Sequence, residues 1–169
     1  ILANSSGNEK TFLGQLHENG IIELSAFNSL LNAGLEYALE IAKKDIKRVK
    51  VVFNGAGPSA VSCALLFFSL GVKKENLFMI DSKGVISTNR KGLSSEKSQF
   101  ARDTNKTSLE EVINGADVFI GLSRGNVLSI EMVKSMAKRP IVMALANPTP
   151  EISYNDAKAS RKDIIICTG

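Results

Sequence analysis

The chain has 169 residues, 44% of them hydrophobic and 22% charged, with a formal net charge of +4. This length suits one folded globular domain, and lysines scattered among acids, with no Trp to stack on bases, exclude a nucleic-acid surface. No apolar run reaches the ~18 residues of a membrane span, so we expect no membrane contact and, by default, a cytoplasmic location.

Helices and strands are predicted to alternate along the chain. Apolar residues at three- and four-residue steps predict an amphipathic helix over 23–44. Apolar runs then predict strands ending at 54 and over 77–80, 117–121, 141–146 and 163–167, and helices are predicted over 58–70, 94–101, 108–114, 129–138 and 155–160. This order predicts an α/β fold, a Rossmann-like, doubly wound, mostly parallel sheet with helices on both faces.

A glycine turn joins the first strand to its helix. Gly55 permits a tight turn, Gly57 leaves room for phosphates, and Ala60 lets the helix lie close to the strand. The helix N-terminus adds free N–H groups and a positive dipole end. The pattern predicts a pyrophosphate site formed by Gly55, Ala56, Gly57, Pro58, Ser59 and Ala60. The alternative is an ordinary strand-to-helix turn on small residues.

Polar residues also follow later strands, where ligands gather in such sheets. Asp81, after the second strand, is placed to accept hydrogen bonds from ribose hydroxyls, or it simply ends the strand. Its charge favours NAD, whereas nearby Lys83 would attract the 2′-phosphate of NADP, so both cofactors stay open. Asn147, after the fourth strand, is suited to hold a nicotinamide carboxamide or a substrate carboxylate, or it starts a turn with Pro148.

Several of these stretches together resemble the NAD(P)-binding domain of malic enzymes, above all the bacterial type. They are residues 51–57, 81–86, 115–121, 131–136 and 144–152, and the resemblance covers about residues 30–169. It implies oxidative decarboxylation of malate to pyruvate and CO₂ with NAD or NADP and Mg²⁺ or Mn²⁺, in a homo-oligomer. It also implies that Gly55 to Ala60 bind pyrophosphate, Asp81 the ribose, Leu122 and Ser123 the nicotinamide side, and Asn147 the nicotinamide or malate.

Other parts of the family pattern are missing. Malic enzymes carry a separate N-terminal domain with the tyrosine and lysine that handle protons and with acidic metal ligands. We therefore assign no catalytic residue and no metal ligand to this chain, and expect no turnover from it alone. His17 and Glu18 occupy the stretch that corresponds to the family's metal-binding Asp. Mg²⁺ prefers carboxylate oxygen, so His17 is a poor ligand for it. The alternative is that both residues belong to a solvated loop. We divide the chain into an N-terminal segment over residues 1–22 and a dinucleotide-binding domain over residues 23–169.

Three functional hypotheses follow from this pattern. The chain is a fragment or diverged member of a malic enzyme, or a non-catalytic nucleotide-binding or regulatory module derived from that family. The third, an amino-acid or folate dehydrogenase with the same type of sheet, is disfavoured by residues 144–152.

Overall fold

The computed structural model describes residues 24–168, with side chains from residue 31 onward except that of Asn32. His17, Glu18 and the domain boundary at residue 23 lie outside the described residues. No helix within 24–168 has the length and apolarity to cross a membrane. The elements are α1 (Leu24–Ala42), β1 (Val51–Asn54), α2 (Pro58–Ser69), a 3₁₀ turn (Lys74–Asn76), β2 (Leu77–Asp81), β3 (Gly84–Val85), α3 (Ser95–Ser98), α4 (Leu109–Ile113), β4 (Val118–Gly121), α5 (Ile130–Ser135), β5 (Ile141–Ala144), α6 (Tyr154–Ser160) and β6 (Ile165–Thr168).

The strands form one sheet in the order β3-β2-β1-β4-β5-β6. All neighbours are parallel except β3, which runs antiparallel to β2. Every residue of β1, β4 and β5 is buried, as expected for strands covered on both faces. The predicted Rossmann-like, mostly parallel α/β fold is therefore confirmed.

Successive residues of each central strand enter two different cores. In β1, Phe53 packs with residues of α1 and α2, whereas Val52 packs with residues of α4, α5 and α6. On the first face, the Phe53 and Phe67 rings meet edge to face at 5.3 Å between centroids. The helices thus cover both faces of the sheet and leave the carboxyl ends of its strands open for ligands.

Helices α1, α3 and α5 end two or three residues earlier than the sequence predicts, α3 at Ser98 rather than at residue 101, and specific contacts end α1 and α5. In α1, Lys43 takes a left-handed φ of 52°, and the Lys44 N–H bonds the Leu39 carbonyl oxygen at 2.9 Å, so the helix closes at Ala42 rather than at residue 44. In α5, Arg161 donates to the Met136 carbonyl oxygen at 2.8 Å, and extended Met136 ends the helix at Ser135 rather than at residue 138. The first ending is local, whereas the second depends on a residue far along the chain.

The sequence prediction misses β3 and misplaces strand ends. Gly84, with φ of +102°, lets the chain reverse after β2, and the pair Asp81–Gly84 opens a short antiparallel ladder. The strand predicted over 163–167 is the sixth, not the fifth, and occupies Ile165–Thr168, because Arg161 pairs with Asp163 before it. The strand predicted over 141–146 ends at Ala144, where the chain leaves the β4 ladder.

Candidate functional site

The turn between β1 and α2 has the shape that its glycines predict. Gly55 has a φ of +136°, and its N–H donates to the Ile80 carbonyl oxygen at 2.9 Å. A Cβ at Gly55 would lie 2.9 Å from the Leu122 carbonyl oxygen. Only glycine therefore satisfies both the dihedral angle and the available space. Ala60 of α2 is 1% exposed and faces the core, in line with the prediction that its small side chain lets the helix lie close to the strand.

Gly57 has a different environment from Gly55. It is the N-cap of the 12-residue α2, with φ −78° and ψ 177°, and a Cβ there would meet nothing within 4 Å. Packing within residues 24–168 therefore does not require glycine at this position. No side chain of this part of the chain caps α2, so the N–H groups of Ser59 and Ala60 are available to a ligand. Open space, free donors and the positive helix end are together suited to a phosphate.

Asp81, the last residue of β2, is held by two cations. Arg90 donates to both carboxylate oxygens, at 2.9 and 3.0 Å, and Lys97 Nζ donates to one of them at 3.0 Å. The Lys83 N–H adds a bond at 2.9 Å, and the Asp81 side chain is 10% exposed. Burial alone would raise the pKa of this carboxyl, but these hydrogen bonds outweigh it and hold the pKa well below its ordinary value.

We expect these ion pairs to stabilise the fold in a pH-dependent way. Because the folded pKa of Asp81 is depressed, the contribution is complete above the unfolded pKa of about 3.9 and is lost as the pH falls toward the folded pKa. The free energies of unfolding of the wild type and Asp81→Asn, measured with urea, should therefore differ most at about pH 7, and the difference should already be smaller at about pH 3. An equal difference in the free energy of unfolding at both pH values would contradict this assignment.

The loops after β4 and β5 are joined by backbone hydrogen bonds. The Leu145 N–H donates to the Gly121 carbonyl oxygen at 3.1 Å, and the Asn126 N–H to that of Pro150 at 3.0 Å. Leu122, half-buried, is tied to β1 through its N–H and the Asn54 carbonyl oxygen at 2.9 Å. The two loops therefore form one unit beside the glycine turn.

Glu151 is a component of this unit that the sequence interpretation missed. Its side chain is fully buried, and its carboxylate accepts hydrogen bonds from the Ser123 N–H at 3.3 Å and the Ala146 N–H at 3.1 Å. A Cβ at Gly121 would overlap this carboxylate, so the missing side chain at Gly121 makes its space. Burial raises the pKa of Glu151. The only sequence signal was one acid before Ile152, because its partner Gly121 is brought near by the sheet register.

Two buried amide nitrogens at this edge of the sheet have no acceptor among residues 24–168. They are Nδ2 of Asn54, which ends β1 and is 8% exposed, and the buried Nδ2 of Asn147. The Asn147–Pro148 peptide bond is cis. A buried donor without an acceptor costs about 1–3 kcal/mol, so acceptors supplied by a ligand would offset this cost. These residues therefore suit a ligand rich in phosphate and carbonyl oxygens, such as a dinucleotide, and Asn54 is a site residue that sequence reasoning did not identify.

The predicted site residues lie along one edge of the sheet. The glycine turn, Asp81, Leu122 with Ser123, and Asn147 follow the carboxyl ends of β1, β2, β4 and β5, which are neighbours in the order β2-β1-β4-β5. Their ligand contacts stay predictions. Among residues 24–168, no group of three or more His, Cys, Asp or Glu side chains is placed to hold a metal ion.

Comparison with known proteins agrees with this arrangement. The family model described as "Malic enzyme, NAD binding domain" matches residues 26–169. The chain is 43% identical over 137 residues to the NADP-dependent malic enzyme of Halomonas elongata, covering 81% of this chain and 32% of that protein. It is also 43% identical over 141 residues to the NAD-dependent malic enzyme of Rhizobium meliloti, and this match covers 83% of this chain and 18% of that protein.

The fold comparison gives a similar result. The crystal structure of the NAD-dependent malic enzyme of Thermotoga maritima superposes with a TM-score of 0.76 and 36% identity. That match covers 84% of this chain and 38% of the other. The chain thus spans between about a fifth and a third of the length of these two curated relatives.

Proposed function

This chain belongs to the malic enzyme family, whose NAD-binding domain it matches, and from that premise we propose that it binds a nicotinamide dinucleotide for the oxidative decarboxylation of malate to pyruvate and CO₂. The observation that carries the proposal is the open space at Gly57 together with the buried Nδ2 atoms of Asn54 and Asn147, which lack an acceptor within the described part of the chain, all at the same edge of the sheet. A dinucleotide has phosphate and carboxamide oxygens for these donors.

Each predicted residue has a physical task in this proposal. Gly55 holds the turn, and the N–H groups of Ser59 and Ala60 bind the pyrophosphate, with Ala56, Gly57 and Pro58 shaping its approach. Leu122 and Ser123 border the nicotinamide, and the Asn147 amide orients its carboxamide or a malate carboxylate. When bound, the nicotinamide accepts the hydride that malate loses on oxidation.

The charges around Asp81 favour NADP over NAD in this proposal. A free carboxylate would repel the 2′-phosphate, but Arg90 and Lys97 compensate the charge of Asp81 and leave a positive surplus. Exposed Lys83 adds a further positive charge two residues along the chain. The Asp81 carboxylate already accepts four hydrogen bonds, which is about its full capacity, so a ribose hydroxyl that donates to it must displace one of these donors.

Arg90→Gln should therefore weaken NADP binding more than NAD binding. Loss of a charge-assisted contact to the 2′-phosphate should raise the Kd for NADP about tenfold or more, with a change of less than about threefold for NAD. Calorimetric titration of both cofactors measures this. Lys91→Gln, which removes a neighbouring exposed cation, is the control. Equal weakening of NAD and NADP by Arg90→Gln would argue against a role in selectivity.

Three further features belong to the proposal. The family resemblance implies a divalent Mg²⁺ or Mn²⁺ ion in the complete enzyme and assembly into a homo-oligomer, and a cytoplasmic location is the default expectation from the sequence. A carboxylate-rich site for such an ion must draw on residues outside 24–168, because no suitable group of side chains lies within them.

Calorimetric titration with NADP, NAD and ADP tests the binding function directly. We expect a dinucleotide to bind more tightly than ADP, because it contacts both the Asp81 end and the Asn147 end of the site. Malate added with Mn²⁺ and NADP should give no rise in absorbance from these residues alone. Tight binding of ADP with no dinucleotide binding would instead support the non-catalytic module.

A further inference from the structure

The Glu151 carboxylate is placed where a charge is costly. It is fully buried, its hydrogen-bond donors are the backbone N–H groups of Ser123 and Ala146, and a carboxylate buried without a cation is normally destabilising. Within residues 24–168, no lysine or arginine forms an ion pair with it. Burying a carboxylate at this cost in free energy suggests that Glu151 has a functional role.

The two N–H groups belong to two different loops, each two residues beyond the end of its strand. Ser123 follows β4 and Ala146 follows β5, and each stands at or beside a residue that faces the nicotinamide in the proposed function. Backbone hydrogen bonds join these loops at the strand ends, from Leu145 to Gly121, and farther out, from Asn126 to Pro150 and from Leu128 to Glu151. Between these points, the Glu151 carboxylate is the contact that ties Ser123 to Ala146, the neighbour of Asn147.

The chemistry of this contact requires two acceptors at once. A carboxylate offers an acceptor to each N–H, whereas the amide of glutamine offers one oxygen and one NH₂ group. In Glu151→Gln the NH₂ group must face one of the two backbone donors, so either Ser123 or Ala146 loses its acceptor. The space left by Gly121 still accommodates the side chain, because Gln and Glu have nearly the same shape.

We propose that Glu151 is a positioning residue that sets the nicotinamide half of the cofactor site by holding Ser123 and Ala146, and through Ala146 its neighbour Asn147. It acts on the cofactor only through these loops. The adenosine half, at Asp81 and the glycine turn, lies on β2 and β1 and does not depend on it. This inference rests on the proposed function, because it presumes that a dinucleotide lies across both halves.

The test compares two ligands on the wild type and Glu151→Gln. NADP contacts both halves, whereas 2′-phospho-ADP-ribose is NADP without its nicotinamide ring. Calorimetry should show NADP affinity falling about tenfold in Glu151→Gln, with a change of less than about twofold for 2′-phospho-ADP-ribose. Glu36→Gln, the same substitution at an exposed position of α1, is the matched control and should change neither affinity.

The outcomes separate this inference from the proposed function. Equal weakening of both ligands would show a general structural role for Glu151, and no weakening of either would show no role, so each result overturns the inference. A wild type that binds neither ligand overturns the proposed function itself. If Glu151→Gln does not fold, Glu151→Asp keeps both acceptors on a shorter side chain, and the same selective loss of NADP affinity is expected.

Discussion

Replacing Gly57 with aspartate is expected to leave the fold intact and to weaken dinucleotide binding at least about 100-fold. The dihedral angles of Gly57 suit any L-residue at an N-cap, and a Cβ there meets nothing within 4 Å. Aspartate is among the preferred N-cap residues, so the stability of α2 should be maintained or rise by up to about 1 kcal/mol. Its charge, however, would face the pyrophosphate at close range, where two like charges about 4 Å apart repel by about 4 kcal/mol.

Gly57→Asn is the control that separates charge from shape. Asparagine has nearly the same size and also caps helices well, but it carries no charge. Thermal unfolding should show both variants folded, and calorimetry should show much weaker NADP binding in the aspartate variant than in the asparagine variant. If Gly57→Asp binds NADP as the wild type does, the pyrophosphate lies elsewhere.

Replacing Gly121 with alanine is expected to destabilise the fold by about 3 kcal/mol or more. The new methyl group would occupy the position of the Glu151 carboxylate, in a region that is fully buried. Displacement of that carboxylate leaves the N–H groups of Ser123 and Ala146 without their acceptor, at about 1–3 kcal/mol for each buried group. Dinucleotide binding should be lost with it, because both loops of the nicotinamide half move.

Urea unfolding measures this loss in the free energy of unfolding, and Gly34→Ala is a control that is expected to raise it. Gly34 lies in α1, and its added Cβ would be 3.9 Å from Met143, so Gly34→Ala should stabilise the helix by roughly 0.5–1 kcal/mol. Because Glu151→Ala removes the overlapping group, the double variant Gly121→Ala/Glu151→Ala should lose less stability than the sum of its two single variants. Strict additivity of the two single effects would show that Gly121 and Glu151 do not interact.

The sequence predicts best those features that depend on neighbours along the chain. The glycine turn, the buried strands and the helix starting near residue 108 all follow from local spacing, and the structure contains each of them, with Ser108 and Glu111 forming a capping box at the start of α4. The alternation of strands and helices then leads to the sheet type, because parallel strands need crossover helices.

The features missed from the sequence all depend on contacts between distant residues. Arg161 ends α5 from 25 residues away, and Glu151 reaches Ser123 across 28. The position of Asp81 predicts a ribose acceptor or a strand end, yet Arg90 and Lys97, 9 and 16 residues farther along the chain, compensate its charge. Spacing alone cannot show such pairs, since the sheet register that brings them together is itself a tertiary property.

The central position of β1 also has a consequence for the order in which the protein folds. Val51 pairs with Leu77, 26 residues along the chain, and with Val118, 67 residues along. Closing the longer loop has the larger entropic cost, and contacts between distant residues form slowly. We therefore expect the β1–β2 half, with the glycine turn and Asp81, to form first. The nicotinamide half would form only when β4 and β5 dock beside it.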